Sequence, residues 1–222
     1  MYDEQVIQKT KMFVRERLED EPTGHDWWHV YRVWRMSKRI ADEESKRGTV
    51  INLFVVELAA LLHDIADYKF NNGDEEVGLK ITREWLSSLK VPEEIIVQVC
   101  EIIKQISFKG AGVESKPSSI EGEIVQDADR LDALGAIGIA RCFATGSRLG
   151  NPIHIPGLKP IHHNSFEEYK TKRTTSINHF YEKLLLLKDR MNTETGRRLA
   201  EGRHKYMEEY LERFFKEWEG EL

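Results

Sequence analysis

Cysteine is nearly missing from this chain. Cys100 and Cys142 are the two in 222 residues, and both fall inside helical patterns rather than in a spaced framework. That excludes a disulfide scaffold and suits a reducing compartment. A domain of this length needs no staples, since it buries roughly 70% or more of its unfolded surface. Long apolar runs are also missing, and nothing approaches the roughly 20 residues of a membrane span. The N-terminal Met1-Tyr2-Asp3-Glu4 is polar and acidic, unlike a secretory signal. Repeats of fixed period, low-complexity linkers and β-type alternation are absent as well. An excess of basic charge is lacking: 33 Lys and Arg stand against 38 Asp and Glu, a net charge of −5. A nucleic-acid partner, which asks for a strongly basic face, is therefore not expected. These absences lead to one all-α domain over residues 1–222, cytoplasmic and away from membranes, with its oligomeric state left open.

What is present is helical periodicity. Val6, Ile7, Phe13, Val14 and Leu18 mark an amphipathic helix over 3–20, ended by Glu21-Pro22-Thr23-Gly24. Asp26 is placed to cap a second helix running to about Lys46, with Val30, Val33, Trp34, Ser37, Ile40 and Ala41 as its stripe. Leu53 to Leu62 is apolar on all sides and predicts a buried central helix ending near Ala66. A turn at Asn71-Asn72-Gly73-Asp74 precedes a short helix over 75–89, and Pro92 opens another to about Ile106. A Gly/Ser/Pro loop over 109–119 leads to a helix over 120–144, whose Gly135, Ala136, Gly138 and Ala140 permit close backbone approach. Residues 146–164 form a long irregular stretch of the kind that often serves as a lid. Ser165-Phe166-Glu167-Glu168 reads as a capping box for a helix to about Met191, and Asn192 or Thr193 caps a last helix to about Trp218.

Chemistry concentrates at three places. His63-Asp64 closes the most apolar stretch, where unpaired ionisable groups would cost several kcal/mol, roughly. His29 shares a helical face with Val33, Met36 and Ile40, and Asp129 shares one with Val125, Asp132 and Ala136. The spacing of Asp129 and Asp132 lets both carboxylates approach one point. Each place alone has a plainer alternative. His29 reads as a core-edge histidine with a satisfied hydrogen bond, His63 as a cation answering a helix dipole, and Asp129 as a bystander to an Arg130–Asp127 pairing. Taken together, two imidazoles and two carboxylates on apolar faces of different helices suit one divalent ion such as Mn, Fe, Co, Zn or Mg, with positions left for water and substrate.

The order His29, His63-Asp64, Asp129 resembles the H…HD…D signature of the HD-domain metal-dependent phosphohydrolases. The surrounding words extend the likeness: Gly24-His25-Asp26-Trp27-Trp28-His29-Val30-Tyr31-Arg32-Val33, Leu62-His63-Asp64-Ile65-Ala66-Asp67-Tyr68-Lys69-Phe70 and Asp127-Ala128-Asp129-Arg130-Leu131-Asp132-Ala133-Leu134-Gly135-Ala136. They look like a bacterial subgroup with nucleotide pyrophosphohydrolase activity, which splits nucleoside triphosphates into monophosphate and pyrophosphate. The resemblance covers nearly the whole chain. It implies an HD fold with core motifs over about 25–135 and C-terminal helices over about 165–219 packing on them. It puts His29, His63, Asp64 and Asp129 on the metal-ligand positions and leaves His25 and Asp26 behind them at most. The implied cofactor is one divalent ion, manganese first, with Mg, Co, Fe, Zn or Ni as the others. Asp67 takes the place of the glutamate in the HDxxED motif of guanosine-tetraphosphate hydrolases. Tyr68 stands where the next acid would be, which speaks against that substrate.

The implied reaction is attack of a metal-bound hydroxide on phosphorus, with Asp67 accepting the proton. A nucleotide or another phosphorylated small molecule is the expected partner. Phosphate charge calls for further cations. Arg32 and Lys69 rank first because each is close in sequence to a ligand position. Arg148 is the third choice, drawn from a stretch that also holds His154, Lys159, His162 and His163. The alternatives are a nucleoside monophosphate phosphatase or another phosphomonoesterase or phosphodiesterase of the superfamily. A non-catalytic helical binding module is the alternative of a different class.

Overall fold

The computed structural model describes residues 2–19, 24–65, 76–106, 116–161 and 174–222. Among them every regular element is helical, as the absence of β alternation predicts. No helix among them is long and apolar enough to cross a membrane. The described residues fall into two compact units, a first up to Asp129 and a second from Arg130 to Leu222.

The first unit is built around α3 (Leu53–Leu62), in which Leu58, Ala59, Ala60, Leu61 and Leu62 are completely buried. Such a helix has no solvent face because helices cover it on several sides. α1 (Tyr2–Leu18), α2 (Trp27–Lys46) and α5 (Glu93–Ile106) all pack on it. Asn52 caps α3 by accepting from the Val55 amide. Glu57, the one charged residue of α3, lies at its edge and accepts from Trp34 Nε1 of α2 at 2.7 Å. α4 (Glu76–Ser88) packs on α5, and its Trp85 stacks on Phe13 of α1 with ring centroids 3.9 Å apart. Asp26 caps α2 as expected, accepting from the His29 amide at 2.9 Å.

The sequence predicts one helix over 120–144, and two are found: α6 (Ile120–Asp132) and α7 (Gly135–Arg148). The break has a local cause. Leu134 is extended and Gly135 takes φ +72°, a left-handed conformation that costs glycine nothing. Gly138 then passes so close to the Ala133 carbonyl that a Cβ there would sit 2.3 Å from it.

In the second unit, α7 packs against α8 (Ser176–Glu182) and α9 (Glu194–Trp218). Phe143, Phe180 and Tyr210 join these three helices. Thr193 caps α9 as expected, accepting from the Gly196 amide at 2.9 Å. The helix expected to continue to Met191 instead ends at Glu182, followed by short 3-10 turns over Leu184–Leu186 and Lys188–Arg190. Leu184 and Leu187, both buried, are three apart and match a three-residue turn.

The stretch after α7 is stitched down rather than free. Pro152 and Ile153 carbonyls accept from the Ser176 and Ile177 amides at the start of α8, and the Leu158 carbonyl accepts from Asn178. Glu182 accepts from both the Ile161 amide and the Thr174 hydroxyl. A lid over residues up to 161 is therefore not supported. His162, His163, the capping box at 165–168, the turn at 71–74 and most of the loop over 109–119 lie outside the described residues.

Candidate metal centre

Three helix-derived positions in the first unit meet at one point. His29 is in the first turn of α2 and has no solvent exposure. His63 follows the last residue of α3, still with helical backbone angles, and Asp64 comes next. Asp129 is near the end of α6. A buried helix with neighbours on several sides cannot swing, so the pair at its C-terminal end is delivered to a fixed place.

Orientation of the His63 ring is fixed by main chain. Nδ1 lies 2.9 Å from the Ala60 carbonyl oxygen. A carbonyl only accepts, so Nδ1 carries a proton, and Nε2 is the atom that would offer its lone pair to an ion. That Nε2 is 3.2 Å from His29 Nε2, 3.7 Å from Asp64 Oδ2 and 3.9 Å from Asp129 Oδ1. His29 Nε2 is in turn 3.2 Å from Asp64 Oδ2 and 3.5 Å from Asp129 Oδ1. Ligands bound at about 2.1 Å are separated by about 3.0–3.4 Å across an octahedral or tetrahedral edge. The separations found are of that size or slightly larger. Two ring nitrogens facing each other beside two carboxylate oxygens form a set short of protons and suited to a small cation. The atoms group as His29, His63 and Asp129 and as His25, His29 and Asp64, each set with its ligand atoms within 4.8 Å of one another and suited to a divalent ion.

The electrostatics agree with the geometry. Burial pushes the Asp64 carboxyl upward, but the His63 and His25 charges and hydrogen bonds from His25 and His29 outweigh it. They hold the group well below the usual carboxylate range. Asp64 is therefore ionised, as a ligand must be.

His25 is closer to this cluster than its sequence position suggests. Its Nδ1 is 2.7 Å from Asp64 Oδ2, the oxygen that faces His29 and His63. Gly24, at φ +86°, is the one sequence signal: a left-handed residue just before a helix cap fixes the path of the residue between them. Asp132 has a partner of its own. Its carboxylate, in the second unit, pairs with Arg141 at 3.1 Å, with 6% of its side chain exposed. The guanidinium supplies the partner that a buried carboxylate requires.

The other expected residues are distributed differently. Arg32 is on α2 one turn beyond His29 and is partly exposed. Asp67 and Lys69 lie outside the described residues. Arg148 is an exposed residue in the last turn of α7, within the second unit.

Comparison with known proteins matches residues 27–134 to the HD domain family. YpgQ of Bacillus subtilis is 37% identical over 216 residues, which is 96% of this chain and 94% of that protein. The crystal structure of YpgQ in complex with ADP superposes with a TM-score of 0.75 at 33% identity, covering 98% of this chain and 97% of that one. An HD-superfamily hydrolase from Bacillus thuringiensis is 44% identical, with a TM-score of 0.73 and 98% of each chain covered. A crystal structure from Lactobacillus plantarum gives a TM-score of 0.86 at 34% identity, again over 98% of each chain.

Proposed function

The chain belongs to the HD-domain superfamily of hydrolases, and from that premise we propose a metal-dependent phosphohydrolase that splits nucleoside triphosphates into monophosphate and pyrophosphate. The observation that carries the metal-dependent part is the convergence of His29 and His63 Nε2 with Asp64 Oδ2 and Asp129 Oδ1. Support for a nucleotide comes from YpgQ, whose structure was determined in complex with ADP.

In this reading His29, His63, Asp64 and Asp129 hold one divalent ion, manganese first. A bound ion there supplies Lewis acidity, which makes water a better nucleophile and neutralises phosphate charge. Asp67 accepts the proton released as water attacks phosphorus. The bond between the α and β phosphates breaks, and pyrophosphate leaves. Arg32 presents a planar fork to phosphate oxygens, and Lys69 adds a point charge. The buried α3 keeps the two adjacent ligands in register, and positioning of this kind is the larger part of phosphoryl-transfer catalysis.

The test is a screen of nucleoside tri-, di- and monophosphates with Mn, Co and Mg, identifying each product. Pyrophosphate released from triphosphates is expected. Orthophosphate from monophosphates, with triphosphates untouched, would overturn the substrate. An Asp64→Ala protein with full metal content and unchanged turnover would overturn the site.

A further inference from the structure

We propose that His25 is a positioning residue for the metal centre, its Nδ1–H holding the Asp64 carboxylate with Oδ2 turned toward His29 and His63. The proposal rests on the reading of the cluster as a metal site and adds a residue that the ligand signature does not contain. Asp64 follows the end of α3, where the regular hydrogen bonds of the helix have stopped, so the helix alone does not fix its side chain. A carboxylate with two free torsions would sample several orientations. The contact at 2.7 Å from His25 Nδ1 restricts it, and both side chains are only 16% exposed.

The choice of oxygen matters. Oδ2, the oxygen bonded to His25, is also the one 3.2 Å from His29 Nε2 and 3.7 Å from His63 Nε2. An ionised carboxylate can only accept, so Nδ1 of His25 carries the proton in this contact. The protonated Nδ1 has no lone pair for an ion, so this nitrogen serves as a tether to Asp64. The second lone pair of Oδ2 remains available on the side facing the two imidazoles.

The tether is itself anchored. Gly24 takes its left-handed φ of +86° on one side, and Asp26 caps α2 on the other. The His25 ring stands edge-on to His29 with centroids 5.3 Å apart. Residues behind metal ligands commonly govern affinity by 10–100-fold, roughly.

The experiment compares wild type with His25→Ala, His25→Asn and Asp64→Ala. Mn(II) affinity is read from the free-ion EPR signal, and Co(II) site geometry from visible absorption. Melting of the metal-free proteins reports folding. Asn keeps a donor near the Nδ1 position, so His25→Asn is expected to bind Mn(II) within about threefold of wild type with unchanged Co(II) bands. His25→Ala is expected to bind about 10–100-fold more weakly. Mn(II) affinity of His25→Ala within twofold of wild type would overturn the proposal. Co(II) bands of His25→Asn shifted toward lower coordination would also overturn it by making His25 a ligand. Failure of the metal site itself looks different: wild type would bind no ion, or Asp64→Ala would bind as tightly as wild type.

Discussion

Asp64 shows how a single side chain sets a pH window. Its folded pKa lies well below the ordinary value of 3.8 because of His63 and His25. The sign follows from linkage: stability from an acid with a depressed pKa is complete above its unfolded pKa and is lost as pH falls through the folded value. Melting of metal-free protein from about pH 5 downward should therefore show a gap between wild type and Asp64→Asn that closes only below about 3.9. A gap already closed at about pH 4.5 would refute the assignment. Cys142 gives a second prediction. Burial pushes its thiol up to about 12, so roughly one molecule in 10,000 carries the thiolate at pH 8. Ellman's reagent should leave it unreacted in native protein and modify it after denaturation. His29, His63, Asp64 and Asp129 could be singled out in the sequence because each puts a polar residue on an apolar face. The Asp64–His25 contact could not be, because it depends on the path of the chain at Gly24 and not on any periodicity.

Among the elements, α3 is the one whose packing most directly carries the site. Leu61, fully buried, should cost about 2–5 kcal/mol when cut to alanine, measured by chemical denaturation of metal-free protein. Gly138→Ala should cost about 1–3 kcal/mol or more, because the clash is with the Ala133 main chain, which cannot rotate away. Retention of the wild-type melting temperature in Gly138→Ala would show that the turn between α6 and α7 is softer than its geometry implies. α2, α5 and α9 could be read closely from caps and stripes, since Asp26, Pro92 and Thr193 each announce a start. The break at Leu134-Gly135 escaped that reading because the apolar pattern continues through it and only the left-handed φ interrupts the helix. The segment before Met191 escaped it for another reason. A run of four leucines fits several helical pitches, and packing chose the three-residue one.

At the scale of the molecule, an ion at the proposed site would couple metal binding to folding of the first unit. An ion held at 100 times its dissociation constant stabilises the folded state by about 2.7 kcal/mol. Hydrogen exchange with and without Mn(II) should show added protection in α2, α3 and the α6 residues up to Asp129. Protection unchanged in all three would argue against an ion at this site. The all-α class was legible from the missing β alternation.

The spacing of the donors has a consequence for a chain so poor in cysteine. His29 and His63 are 34 residues apart, and Asp129 is far beyond them in sequence. An ion held at their meeting point would clip three distant stretches together, closing loops whose ends a denatured chain brings near one another only rarely. It would do the work of a cross-link, with the difference that a chelator would open it and a change in metal supply would reset it. The first unit would then carry a reversible staple, and its lifetime against proteases would follow the availability of the ion.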